Sequence, residues 1–195
     1  MISTLSKKHS FDVVFDSQKV YRLILEAMSN PAKTVDIGEC ADKLYGEDAT
    51  FLAVAMTLFD NEVSFNTCDN GSLSDEIASL THAKRETVEA ADFVFVLDPG
   101  GIKTVMESVK CGTLSDPHKS ATVIVQNRGE NISRLIFSGP GIDGHRAAMS
   151  TEAVKEAIAL RDAQSYEYPQ GVDFIFVSES GELFAIPRLV RMEVE

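Results

Sequence analysis

Five apolar residues in succession, Phe93-Val94-Phe95-Val96-Leu97, run straight into Asp98-Pro99-Gly100-Gly101. A strand with one wet face alternates polar and apolar residues; an unbroken run rich in β-branched and aromatic side chains belongs to a strand covered on both faces. Such a strand requires a layer of structure above it and another below. The residues that follow supply a candidate for one layer. Ile102, Val105, Met106 and Val109 share one helical face, which predicts a helix from 102 to about 110, with Gly112 placed as its C-terminal glycine stop. Strand, tight glycine turn and helix in that order constitute the basic unit of an α/β protein.

Similar units extend in both directions. Val20, Leu23, Ile24, Ala27 and Met28 predict an amphipathic helix over 16–29, stopped by Asn30-Pro31. A short strand is expected over 34–37. A helix capped by Asp48 or Thr50 and running to 59 is apolar nearly all round, as a helix buried on several sides would be. A strand over 63–66 leads to the turn Asn70-Gly71, and Ser72-Leu73-Ser74-Asp75 has the form of a capping box for a short helix. The apolar segments 121–126 and 132–137 are close enough to form an antiparallel hairpin, followed by a glycine-rich loop over 138–144. Ser150 or Thr151 caps a further helix. Tyr168-Pro169-Gln170-Gly171 breaks the chain before two last strands, 172–177 and 182–186, which a four-residue loop joins as a hairpin. Early strands alternate with helices and later strands pair through turns, so the expected fold is α/β, a three-layer mixed sheet flanked by helices. With no repeat, linker or low-complexity tract, residues 1–195 read as one domain.

Composition narrows the partners. The chain carries 30 acidic against 18 basic side chains, a formal charge of -12, and its basic runs Lys7-Lys8 and Lys84-Arg85 are only doublets. Such a surface repels a phosphate backbone, so no nucleic acid is expected. Cys40, Cys68 and Cys111 are widely spaced, without a CxxC pair, which fits a reducing compartment and points to no zinc site. Neither a signal-peptide core at the start nor a membrane-length apolar stretch is visible, and the expectation is a cytoplasmic protein with no membrane contact.

Two loops are candidates for ligand binding. Asp98, Gly100 and Gly101 lie where a buried strand gives way to a helix, the position at which open α/β sheets hold ligands. The same residues also suit a ligand-free role, with Asp98 as cap and Pro99 as an early turn residue. Gly139-Pro140-Gly141-Ile142-Asp143-Gly144 is formally a GxGxxG motif. It does not open directly into a helix, and no acidic strand end follows about 20 residues on, so a plain tight turn explains Gly139 and Gly141 better than a dinucleotide site. Arg146, beside that loop, and Arg188, after Ile186-Pro187, are suited to bidentate contact with a phosphate or carboxylate, or equally to an ion pair within the fold. The four histidines share no metal-binding spacing, and neither a GxSxG elbow nor a P-loop is present, so no metal site and no catalytic residue can be assigned.

An ordered series of segments resembles the PhnH family of the carbon-phosphorus lyase pathway over nearly the whole chain. It comprises Tyr21-Arg22-Leu23-Ile24-Leu25-Glu26-Ala27-Met28-Ser29-Asn30-Pro31, Leu58-Phe59-Asp60-Asn61-Glu62, Cys111-Gly112-Thr113 with Pro117, Gly139-Pro140-Gly141-Ile142, Tyr168-Pro169-Gln170-Gly171-Val172-Asp173-Phe174-Ile175, and Gly181-Glu182-Leu183-Phe184-Ala185-Ile186-Pro187-Arg188 with Glu193-Val194. The resemblance implies a fold like that of pyridoxal-phosphate-dependent transferases without the cofactor, and a homodimer when isolated. It further implies a supporting place in a core complex with PhnG, PhnI and PhnJ, and a requirement beside PhnG, PhnI and PhnL for forming ribose 1-methylphosphonate 5-triphosphate from ATP and methylphosphonate, with no catalytic residues to carry over. A different class of function, a stand-alone α/β enzyme holding a phosphorylated small molecule at a glycine-rich loop, is the alternative expectation.

Overall fold

The computed structural model describes residues 9–130 and 133–194. The chain start from which the absence of a signal peptide was read, and Asn131 and Ile132 of the expected hairpin, lie outside the described residues.

The helix α1 (Phe15–Ser29) and the short strand β1 (Val35–Asp36) come first, then α2 (Gly38–Ala41), α3 (Ala49–Leu58), β2 (Ser64–Asn66), α4 (Gly71–Thr81) and β3 (Lys84–Arg85). The apolar run forms β4 (Phe93–Val96), a 3-10 turn over Pro99–Gly101 leads into α5 (Ile102–Ser108), and β5 (Thr122–Gln126) follows. The remaining elements are β6 (Ser133–Ser138), β7 (Arg146–Ser150), α6 (Glu152–Asp162), β8 (Asp173–Val177), β9 (Glu182–Ile186) and β10 (Arg191–Val194).

Seven strands form one mixed sheet in the order β1-β9-β8-β5-β4-β2-β3, and β10, β6 and β7 form a separate sheet in the order β10-β6-β7. From β3 through β8 the large sheet is parallel, β9 runs antiparallel to β8, and β1 antiparallel to β9. Register places Phe95, Ile124, Ile175 and Ala185 in one row across the sheet, and Val94, Val123, Phe174 and Ile186 in the adjacent row. Because successive side chains point to opposite faces, the first row packs under α1, α3 and α4, and the second under α5, α6 and the small sheet. The expected three layers are present, the third being part helix and part sheet. Phe95 is fully buried and meets Phe51 and Phe59 edge-on, at ring separations of 5.9 and 5.6 Å. Removing a phenylalanine of this kind from water contributes about 2–3 kcal/mol before entropy is counted.

The expected hairpin between 121–126 and 132–137 does not form. β5 is buried on both faces and lies between the parallel strands β4 and β8, so it has no free edge to offer. In β6, Leu135 and Phe137 are buried while Arg134 is exposed, the alternation of a strand with only one covered face, and it pairs instead with β7 and β10. The segment after the glycine loop, to which the sequence assigned no element, is strand β7, and the last hairpin is followed by a further strand, β10.

Caps differ as well. Asn70, not Ser72, caps α4, its side-chain oxygen accepting from Leu73 N–H at 3.0 Å. Asp48 precedes α3, but its carboxylate accepts from the Asn70 amide at 3.1 Å rather than from its own helix. Thr151 caps α6 as expected. α5 stops at Ser108 because Val109 is already extended; Gly112 lies beyond, with φ +78, where a Cβ would stand 2.8 Å from the Pro117 carbonyl.

Between the two sheets the chain crosses at 187–190, where ladder bonding is interrupted. Arg161 of α6, 1 % exposed, donates to the carbonyls of Ile186, Pro187 and Val190 at 3.3, 3.2 and 2.6 Å. Its guanidinium also lies 5.6 Å over the Phe174 ring.

Candidate functional site

From β2 the chain passes through α4 and moves outward to β3; from β4 it passes through α5 and moves the other way, to β5. The two helices pack on opposite faces of the sheet, α4 through Leu73 and Ile77 and α5 through Ile102, Val105 and Met106. The loops leaving the carboxyl ends of β2 and β4 therefore diverge, and a crevice opens between them, as expected at the switch point of an open parallel sheet. It encloses about 780 Å³ and is walled by the β2–α4 loop, residues 87–89 after β3, the β4–α5 turn and the first turns of α5.

The β2–α4 wall is an unusual piece of backbone. Cys68 and Asp69 both have left-handed φ values, +47 and +72. For non-glycine residues this conformation costs about 1–2 kcal/mol each. Neighbouring side chains hold it in place: Asn66 Oδ1 accepts from Cys68 N–H at 2.8 Å, Asn66 Nδ2 donates to the Glu86 carbonyl at 2.6 Å, and the Thr67 hydroxyl donates to the Asn70 carbonyl at 2.9 Å. Burial, reinforced by the Asp69 carboxylate, pushes the Cys68 thiol up to about 11. At neutral pH it stays protonated and is a poor nucleophile.

On the opposite wall, Asp98 Oδ1 accepts from Gly100 N–H at 3.1 Å, and the Asp98 carbonyl accepts from Gly101 N–H at 2.9 Å. Asp98 is thus the cap of its own turn. Glu89, at the rim, is held below the ordinary carboxylate range, first by a hydrogen bond from the Thr87 hydroxyl.

Of the residues singled out in the sequence, Asp98 and Gly101 line this crevice and Gly100 adjoins it. The others lie elsewhere. Gly139 and Gly141 form the tip between β6 and β7, which packs on the chain itself: a Cβ on Gly139 would stand 2.9 Å from the Leu189 carbonyl, and one on Gly141 2.8 Å from the Pro31 ring. Arg146 donates to the Pro31 carbonyl at 2.8 Å, clipping the same tip to the end of α1. Arg188 pairs with Asp173 through Nε and Nη2, while its Nη1 donates to the Pro117 carbonyl at 2.5 Å. The four thus occupy positions with evident structural work and do not join Asp98 in one constellation. Sequence reasoning missed Cys68, Asp69 and Glu89; the signal available for the first two was the turn pair Asn70-Gly71 shortly after the strand that ends at Asn66. No group of three or more His, Cys, Asp or Glu side chains suited to a metal exists among the described residues.

Fold and crevice together define a three-layer α/β protein with an open mixed sheet and a crevice at the carboxyl edge of its parallel strands. More particularly, residues 9–193 match the family described as bacterial phosphonate metabolism protein (PhnH), and the chain belongs to that family, which gives it a role in phosphonate metabolism. No curated protein matches the chain. Among the described residues no helix is long and apolar enough to cross a membrane.

Proposed function

We propose that this chain is a supporting subunit of the carbon-phosphorus lyase complex, assembled with PhnG-, PhnI- and PhnJ-like proteins and required, with PhnG-, PhnI- and PhnL-like proteins, for the formation of ribose 1-methylphosphonate 5-triphosphate from ATP and methylphosphonate. Family membership gives the metabolic setting. The observation that carries the subunit role is the outer face of α1. Val14, Tyr21 and Leu25 follow one another along a single helical stripe and are 66, 51 and 52 % exposed, with Phe15 beside them at 69 %. Gln18 lies between Val14 and Tyr21 on that stripe, and exposed aliphatic and aromatic side chains gathered on one side of a helix are a usual mark of a protein-binding surface. The open edge of β3 adds a second surface able to accept a partner.

In this role residues 1–195 act as one cytoplasmic domain, dimeric when isolated, with a fold related to pyridoxal-phosphate-dependent transferases but using no cofactor. The mixed seven-stranded sheet is in keeping with that relationship, and the crevice lining includes no lysine to form a Schiff base. Coexpression with the partner subunits tests the proposal: the chain is expected to copurify with them, and release of adenine from ATP with methylphosphonate to require them. Recovery as a free monomer or dimer in their presence, or turnover by the chain alone, refutes it and favours a stand-alone enzyme.

A further inference from the structure

We propose that the crevice between β2 and β4 receives a small organic cation, an amine on an apolar body, and rejects free phosphate and phosphonate groups. In an open α/β sheet this position suggests an anion site, so the charge of the walls decides the matter. Three carboxylates, Asp69, Glu89 and Asp98, belong to the lining, and no lysine, arginine or histidine does. Nor does the turn after β4 offer a free anion cradle. The Gly100 N–H that would face a phosphate is taken by the Asp98 carboxylate, and the Gly101 N–H by the Asp98 carbonyl. The place of the anion is filled by the chain's own negative group, and a second anion brought there meets repulsion rather than donors.

A cation meets the reverse. Asp98 uses one carboxylate oxygen on Gly100 and keeps the other for an incoming N–H donor. Val88, Leu97 and Val105 supply apolar wall for the body of the ligand. The bonds from Asn66 and Thr67 hold the β2–α4 loop in its left-handed shape before any ligand arrives, which reduces the ordering cost of binding. The site is distinct from the α1 face, and neither surface depends on the other.

Three probes with a common apolar body and different charge decide the matter: phenethylammonium, phenethyl alcohol and phenethylphosphonate. Each is titrated into isotope-labelled full-length protein while the amide resonances of 66–70, 87–89, 97–98 and 100–104 are followed. The ammonium probe is expected to shift these amides and to bind at least about tenfold more tightly than the other two. The combined substitutions Asp69→Asn, Glu89→Gln and Asp98→Asn are expected to abolish that preference with the thermal midpoint unchanged. Should the triple variant fold poorly, the three single variants are used, each expected to weaken only the ammonium probe. Binding of the phosphonate as tight as that of the ammonium overturns the proposal, as do silent crevice amides or a charge preference that persists in the variants. Copurification with partner subunits is unaffected by either result, so failure here is distinguishable from failure of the subunit role.

Discussion

A single Cβ atom separates two kinds of glycine in this chain. Gly141 has φ +84, and a side chain there would press on Pro31 Cδ at 2.8 Å and the Ser29 carbonyl at 2.9 Å. At Gly100 a Cβ would make only an ordinary contact, 3.4 Å from Asp98 Oδ1, and no left-handed φ is required. Gly141→Ala is therefore expected to lower stability by about 2 kcal/mol or more, and Gly100→Ala by less than about 1 kcal/mol, as read from urea unfolding midpoints. Asp16 shows how one buried carboxylate sets a pH dependence. The Lys43 ammonium at 2.6 Å and the Asp12 N–H at 2.8 Å hold its carboxyl below the ordinary range. A depressed folded value stabilises the fold above the unfolded value and loses that contribution as pH falls through the folded one. Lys43 is shifted upward by the same bond and stays charged throughout that fall. Asp16→Asn is thus expected to be destabilising at pH 7, with the gap to the parent closing as pH falls below about 4. Thermal unfolding of both proteins across that interval checks the sign.

Elements owe their places to what covers them. α1 and α6 were legible because apolar residues recur at helical spacing over 15 and 11 residues. The elements α2, β3 and β10 have four, two and four residues, too few for any period to declare itself. β6 was placed in the wrong sheet because strand identity and strand partner are separate questions; its alternation favoured a one-sided sheet, while the short connection favoured β5. The joint between the sheets hangs on Arg161, whose donors serve three carbonyls of the crossing strand-to-strand segment. Arg161→Leu removes the guanidinium donors from the buried Ile186 and Val190 carbonyls, the Pro187 carbonyl keeping the Val190 N–H, and is expected to cost about 3 kcal/mol. Arg161→Lys, with one compact ammonium in place of a planar fork, is expected to recover less than half of it. Denaturant unfolding of the two variants measures both.

For the whole molecule, two surfaces of opposite character stand out. The outer side of α1 exposes Val14, Phe15, Tyr21 and Leu25, and the crevice between the β2–α4 and β4–α5 loops is lined by Asp69, Glu89 and Asp98. Changing Tyr21 and Leu25 together to glutamate places charge on the stripe without touching Val20, Ile24 or Ala27 on the buried face. The double variant is expected to keep its thermal midpoint within a few degrees and to lose at least about tenfold in recovery with coexpressed partner subunits, since a desolvated charge in an apolar interface costs more than 1.4 kcal/mol. Pull-down yields beside thermal unfolding check both halves.

Local pattern alone determined the α/β class, strand β4 with cover on both faces, the long helices, the closing hairpin of β8 and β9, and the turn at Asp98, because period and turn chemistry are properties of neighbours in the chain. Tertiary structure decided the rest. It moved β6 out of the large sheet, joined Asp98 to Cys68 and Asp69 across one crevice, spent Gly139, Gly141, Arg146 and Arg188 on contacts within the fold, and left one face of α1 bare. Each of those outcomes depends on which distant segments compete for the same edge, donor or surface, and that competition is settled only when the chain packs.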